Sequence, residues 1–563
     1  MSSPLHTSGH SNEPTGVEYS HGEKEVAFAV EMVDAGSDSD ITSDVNPGEL
    51  TFEEDTAGGM GRHLGVFSCT MLNIGAIIGT GIFSTPSSIL GSVGSVGASL
   101  MLWVLGFALS FCGLFVWLEF GTMFPRSGGE KVYLEAAYRR PKHLVTVVFA
   151  VNAVILNFSS GSCIVFAEKY VFDAHLYLLL VIIPISILIS AGHSADLWVV
   201  RGIAIGAICF VILLHGFTPR LGVYVINVLT LFKTVVLLLI VVTGWIVLSG
   251  KTQVKDPHVN FRHAFAGSSH SGHDYATAMF EVLYAYSGWQ NANYVLNEVR
   301  DPVRTLKIAG PLGLGITTTL YISANIAYFA TSSKTAILES GTTVASLFFE
   351  NVFGVQAQRA LTVFVALSQL QSIFNVAYSA SRVNQELAKE GIPLPFGNRL
   401  WATNWPTQRA PFPGLVVHLI ATVIVIVAPP LSIAYPFILD VAGYPVQIIN
   451  FFVILGLFYL RWKKPRLPRP FRVWLPLAFF FLLVEAFLLI FPFLRPANGV
   501  GDTPPLPYYL FCLVGIAVMM FGVLYWAIWK LMLPYVFKFR LVPRKEVLED
   551  GTVVTLFSRE KVE

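Results

Sequence analysis

The chain is predicted to be an all-α membrane protein with about twelve transmembrane helices. Three observations predict this class. Hydrophobic residues make up 54% of the 563 positions and charged residues 13%, with a mean hydropathy of +0.62, too apolar for a soluble domain. Apolar runs long enough to cross a hydrocarbon core recur from residue 64 onward. Lys and Arg fall in short clusters between those runs, in alternate loops.

The same numbers exclude other classes. A net charge of +1 leaves no basic surface for nucleic acid. No Walker loop, HExxH or GxSxG occurs, so no enzyme chemistry and no cofactor are expected. Cys69, Cys112, Cys163, Cys209 and Cys512 lie in apolar segments without CxxC spacing, so neither a disulfide nor a metal site is expected.

Residues 1–62 are rich in Ser, Gly and acidic residues and read as a disordered, acidic cytoplasmic tail. No basic start followed by an apolar run and a cleavage site is present, so the first membrane helix is expected to direct insertion. The membrane body spans 63–533, with runs near 64–90, 97–122, 144–167, 199–217, 221–248, 275–298, 307–331, 356–388, 412–428, 433–459, 473–494 and 507–532. The Ser/Thr-rich stretch 334–351 reads as an external loop with a short helix. Residues 534–563 read as a cytoplasmic tail.

Charge asymmetry supports this count with both termini inside. Basic clusters follow runs two (Arg126 to Lys142), six (Arg300, Arg304, Lys307), eight (Arg382 to Arg409) and ten (Arg461 to Arg472), all on one side. The apolar stretch 174–191, between runs three and four, would reverse every later loop if it crossed. It reads either as an external or re-entrant insertion or as a retained non-coding stretch.

Two runs are interrupted. In the first, Gly75, Gly79 and Gly81 break an apolar segment at Gly79-Thr80-Gly81, and irregular backbone at membrane depth is tolerated only against protein or a water-filled cavity. Small-residue packing of Gly75 and Gly79 is the alternative. In the sixth, Tyr284-Ala-Tyr-Ser-Gly-Trp289 makes a second break five runs later. Broken helices at matching places in two five-helix halves point to an inverted-repeat transporter with its site at the midplane.

The motifs carry a resemblance. Gly75-Ala-Ile-Ile-Gly-Thr-Gly-Ile-Phe83, Pro125-Arg-Ser-Gly-Gly129, Tyr286-Ser-Gly-Trp289 with Tyr294-Val-Leu-Asn-Glu298, and the basic Leu460 to Pro470 stretch together resemble the amino acid-polyamine-organocation superfamily, specifically the L-type amino acid transporters. Asn157 to Ala167 and Tyr286 to Val299 further resemble the fungal high-affinity methionine permeases. The resemblance implies a LeuT-like fold of five plus five helices with helices 1 and 6 broken, and a plasma-membrane carrier of neutral amino acids. Methionine is the favoured substrate and the proton the expected coupling ion. Obligatory exchange and a nutrient-receptor role are the alternatives.

An amino acid is a zwitterion, so its site needs N–H donors and C=O acceptors. The N–H groups of Thr80, Gly81 and Ile82 at a helix start suit the carboxylate. Gly79 lets ligand approach the backbone. The carbonyls of Ile77, Tyr284 and Ser287 suit the ammonium. These roles match those the family assigns at the same motif positions. Trp289 resembles the family's span-six aromatic, and Tyr284, Tyr286, Phe158 and Tyr444 are candidates for an aromatic pocket favourable to a thioether.

Lys233 lies near the middle of the fifth run, and an intramembrane ionisable residue is a functional candidate by default. In the family, a lysine there occupies the place where sodium-coupled relatives hold a cation. Glu281 is a candidate proton acceptor or charge partner for Lys233, whereas Glu485 reads as a packing group. Glu298, Arg300 and Arg304 are candidates for a gate. Animal L-type relatives bind a heavy chain through a cysteine after span three; residues 168–198 contain none, so no such subunit is expected. Lys24 in the acidic tail suits ubiquitin ligase machinery.

Overall fold

The computed structural model describes residues 50, 54, 57–59, 61–79, 81–172, 197–252, 254, 256–339, 344–427, 434–494 and 506–561. All lie within one unit, Asn46–Glu563. The expectations for Lys24, for Thr80 and for the 174–191 insertion fall outside the described residues.

The first apolar run folds as two helices, α1 (Val66–Ile77) and α2 (Gly81–Val93). The chain continues through α3 (Val96–Met123), whose start is capped by Ser95 accepting from the Ala98 N–H, and the short α4 (Glu130–Ala137). The third run is also split, into α5 (Leu144–Leu156) and α6 (Ser160–Phe172). Then come α7 (Leu197–Phe217), α8 (Pro219–Leu248), the single turn α9 (Val259–Arg262) and α10 (Gly272–Tyr286). The sixth run does not resume as an α-helix; it continues as a 3₁₀ helix, Asn291–Glu298. Next are α11 (Pro302–Thr331), the short α12 (Lys334–Glu339) and α13 (Val344–Phe353) in the stretch read as a loop, and α14 (Val355–Lys389). The chain then forms α15 (Asn398–Ala402), α16 (Phe412–Val427), α17 (Ala434–Lys463), α18 (Leu475–Ile490), α19 (Leu510–Ala527), a π turn (Ile528–Met532) and α20 (Leu533–Phe537).

Among the described residues, seven helical runs are long and apolar enough to cross a membrane: Val96–Met123, Leu144–Ala167, Leu197–Phe217, Pro219–Leu248, Asp440–Lys463, Leu475–Phe493 and Leu510–Phe537. Helices α11 and α14 are as long, at 30 and 35 residues, but each carries polar side chains inward. Helix α1 lies against α8, α11, α14 and the 3₁₀ helix, and α2 lies against α10, so both interruptions fall in the centre of the bundle. Four of the five cysteines are buried and none is bridged.

One element departs from an all-α fold. Residues 539–561 form an antiparallel hairpin, β1 (Phe539–Val547) with β2 (Val553–Lys561), registered from Phe539↔Lys561 to Val547↔Val553. Its Asp550-Gly551 turn places Gly551 at φ +82°, a left-handed conformation in which glycine carries no Cβ penalty. The hairpin docks on the loop after α14. The Asp550 carboxylate accepts from Asn404 N at 2.7 Å and Nδ2 at 2.9 Å, and Val554 packs on Ala388 and Ala402. Lys545 pairs with Glu54 at 2.6 Å.

Candidate substrate and coupling site

The α1–α2 interruption is held rather than loose. Ile78 leaves helical geometry at ψ 94° while its N–H still bonds to Ile74 O. The α10 interruption meets it, because Gly288 lies at φ +108° and a Cβ there would stand 2.7 Å from Ala76 Cβ. Only glycine fits both that backbone angle and that approach.

Lys233 sits on α8 with 2% exposure. Its ammonium donates to Gly75 O at 2.7 Å, to Gln371 Oε1 at 2.6 Å and to Ile78 O. All three donors are therefore spent on uncharged oxygens, tying the end of α1 to α14. Gln371 in turn donates to Thr230 Oγ1 at 2.9 Å. This geometry corrects one expectation: Glu281 is not the charge partner of Lys233. The Glu281 carboxylate instead accepts the Ser88 hydroxyl of α2 at 2.6 Å.

The three glycines of the first motif differ. A Cβ on Gly75 would meet Gln371 and Thr230 side chains at 2.3 and 2.6 Å, and one on Gly81 would meet Ala285 Cβ at 2.9 Å. Both are needed for helix packing. At Gly79 the nearest atom would be Ile77 O at 4.0 Å, so its missing side chain leaves open space. The N–H groups of Gly81 and Ile82, first residues of α2, have no intrahelical acceptor.

Two of the three carbonyls assigned to the ammonium already have donors. Ile77 O accepts Tyr321 Oη at 2.8 Å, and Tyr284 O accepts both the N–H and the hydroxyl of Ser287, at 3.1 and 2.8 Å. Ile77 O keeps a second lone pair, whereas both lone pairs of Tyr284 O are engaged by Ser287.

The aromatics separate likewise. Tyr284 is 66% exposed beside the break. Trp289 packs edge-on against Trp117, with centroids 5.3 Å apart. Tyr286 is fully buried between Trp103 and Tyr321. Tyr444 donates to Leu489 O at 3.0 Å and contacts Phe493 and Phe511, among the last helices. Glu485 is buried facing Asn450.

Phe158 lies in the α5–α6 interruption, which sequence reasoning missed. Helix α16 engages part of it: His418 contacts Asn157 O at 3.0 Å and Ser159 Oγ at 2.8 Å, and Thr422 Oγ1 accepts the Ser159 N–H at 3.2 Å. Also missed were the partners on α14. Asn375 donates to Leu72 O at 3.0 Å and accepts from Asn291, and Asn73 Oδ1 accepts the Ala292 N–H at 2.9 Å. The spacing of Gln371, Asn375, Ser379 and Arg382 was the available signal, a polar stripe on one helix face.

At the far end of the 3₁₀ helix, Glu298 pairs with Arg382 at 2.9 Å, accepts the Tyr378 hydroxyl and lies 3.7 Å from His63. The gate partners expected at Arg300 and Arg304 are elsewhere: Arg300 donates to Arg62 O, and Arg304 is exposed. Beside this group, Lys131 of α4 pairs with Glu390 and, at 3.3 Å, with Glu135.

A predominantly helical, apolar body with two helices interrupted around a buried lysine defines a membrane transporter, not an enzyme. The chain belongs to the amino acid permease family, which it matches over residues 64–519, within the amino acid-polyamine-organocation superfamily. It is 34% identical to the high-affinity methionine permease of Saccharomyces cerevisiae over 495 residues, 87% of this chain and 83% of that protein. It is 32% identical to the low-affinity methionine permease of the same yeast, covering 88% and 87%. It is 29% identical to the mouse b(0,+)-type amino acid transporter 1, covering 81% and 86%.

Proposed function

We propose that this permease imports neutral L-amino acids, methionine favoured, across the plasma membrane by alternating access coupled to protons. The observation that carries the reading is the meeting of the two helix interruptions beside Lys233. Twelve spans in a five-plus-five inverted repeat bring both breaks to the midplane, with residues 63–533 as the transporter body and both termini cytoplasmic. The substrate carboxylate docks on the N–H groups of Thr80, Gly81 and Ile82 across the open space at Gly79. The ammonium takes the free lone pair of Ile77 O and the Ser287 carbonyl, and reaches Tyr284 O when the Ser287 hydroxyl turns away from it. Tyr284 closes over the substrate, while Trp289 supports the break from behind.

Lys233 couples by losing a proton: a neutral amine keeps fewer donors than the three acceptors it now serves, which loosens α1 from α14. Glu281 is the second titrating group in the pathway. No disulfide-linked heavy chain takes part, and the acidic N-terminal tail with Lys24 addresses ubiquitin ligase machinery.

The test is uptake of radiolabelled methionine into vesicles holding the purified protein. Competition by neutral amino acids and stimulation by an outside-acid gradient are expected. Uptake into empty vesicles that ignores the gradient rejects proton coupling. No uptake of any neutral amino acid rejects the transport reading.

A further inference from the structure

The last apolar helix carries a feature that the transport reading does not use. Along its outer face, near the hairpin, runs a groove of about 580 Å³ lined by Leu524, Ile528, Leu531 and Tyr535 among others, with Lys530 at its edge. The lining is open: Leu524 is 56%, Leu531 57% and Tyr535 86% exposed. The π turn Ile528–Met532 contributes to it, because one extra residue in the turn takes the side chains out of their regular rows.

Two basic residues come near this edge. Trp526 Nε1 donates to Lys142 O at 2.8 Å, which sets Lys142 one helical turn from Lys530. His143, next to Lys142 in the chain, packs edge-on against Trp529 and Phe557, with centroids 6.0 and 5.5 Å apart. Lys530 Nζ lies 4.2 Å from the Trp529 ring and 4.0 Å from the Phe557 ring. Among the described residues neither lysine forms an ion pair.

A pair of like charges beside an apolar channel fits a molecule with an anionic head and apolar tails. We propose that this groove binds an anionic glycerophospholipid, with its phosphate between Lys142 and Lys530 and an acyl chain along Leu524, Ile528 and Leu531. A second copy of the chain fits less well, because a two-fold contact through the groove would bring each lysine pair toward its own counterpart. Through Phe557, which touches Lys530, the bound lipid also braces the C-terminal hairpin. The site lies at the loop between α4 and α5, on the face that the transport reading places in the cytoplasm, and to that extent rests on it.

Native mass spectrometry of the full-length protein in detergent, titrated with phosphatidylserine or phosphatidylcholine, tests the site without any transport measurement. Its result therefore stands or falls separately from the transport reading. Retention of phosphatidylserine over phosphatidylcholine is expected. Lys142→Gln with Lys530→Gln should lower that preference by about 25-fold, roughly fivefold for each lysine, while Arg466→Gln leaves it unchanged. Ala527→Trp or Leu524→Trp, which fill the groove and keep both lysines, should release the lipid. Equal retention of the two lipids by the parent, an unchanged preference in the double lysine variant, or full retention in both groove-filling variants overturns the proposal. So does a lipid-free dimer that Leu531→Arg dissolves.

Discussion

At the scale of single residues, Lys233 and Gly79 separate function from packing. Lys233→Met would leave Gly75 O, Ile78 O and Gln371 Oε1 without their donor, at a cost of about 1–3 kcal/mol for each unsatisfied group. We expect uptake to fall at least tenfold and its remaining activity to lose dependence on outside pH. A profile parallel to the parent's would make Lys233 a structural staple only. Gly79 gives the cleaner probe of the substrate cradle, because a Cβ there meets nothing closer than 4.0 Å. Gly79→Ala should reach the membrane in normal amount and transport methionine poorly; parental uptake would remove the cradle. Gly81→Val cannot serve in its place, because Ala285 already fills the space.

At the scale of elements, the Glu298–Arg382 pair joins the 3₁₀ helix to α14. Glu298→Gln would leave Arg382, with its side chain 3% exposed, without its counter-charge, and breaking a buried pair from one side costs about 3–5 kcal/mol. A lowered melting temperature is expected, partly recovered in the double variant with Arg382→Met. If the double variant is as unstable as the sum of the singles, the pair is not coupled.

The sequence made the α1–α2 and α10 interruptions legible, since glycines and small residues at membrane depth have few other uses. It did not reveal that the second half of the sixth run is a 3₁₀ helix, which depends on the close approach of Gly288 to Ala76. Nor did it reveal the α5–α6 interruption: Asn157-Phe-Ser-Ser160 reads as an ordinary helical stretch until His418 and Thr422, some 260 positions away, supply its partners. Glu298 was visible as a charge at a helix end, but its partner was sought nearby in sequence when it stands on another helix.

At the scale of the whole molecule, the loop after α14 and both ends of the described chain meet on one face. Glu54, Asn404, Arg399 and the C-terminal hairpin interlock there. The hairpin does not stand out within the tail 534–563 because its alternating residues are few and its docking surface is remote in sequence.

The α4 corner of this face is a pH-sensitive joint. Burial and then the negative Glu390 push the Glu135 carboxyl up to about 7, against the opposing effect of Lys131. A raised acid binds its proton more tightly folded than unfolded, so its penalty is absent below the ordinary carboxylate range near 4.5, grows as pH rises, and is complete above about 7. Glu135→Gln is therefore expected to raise the melting temperature at pH 7.5, with the gain over the parent shrinking toward pH 5. A constant gap across that range would show that the carboxyl does not titrate there.

The latch that His418 and Thr422 place across Asn157–Ser159 has a consequence for how the molecule breathes. An interruption pinned from a second helix at Asn157 O and Ser159 N–H opens there only when the two helices part, whereas the start of α2 presents amides with no acceptor in its own helix. In amide hydrogen exchange, Ser159 should accordingly rank among the slowest positions and Ile82 among the fast ones. His418→Leu should bring the two together. The third run would then act as a stiff strut with a sealed joint, and the motion would concentrate in the first and sixth.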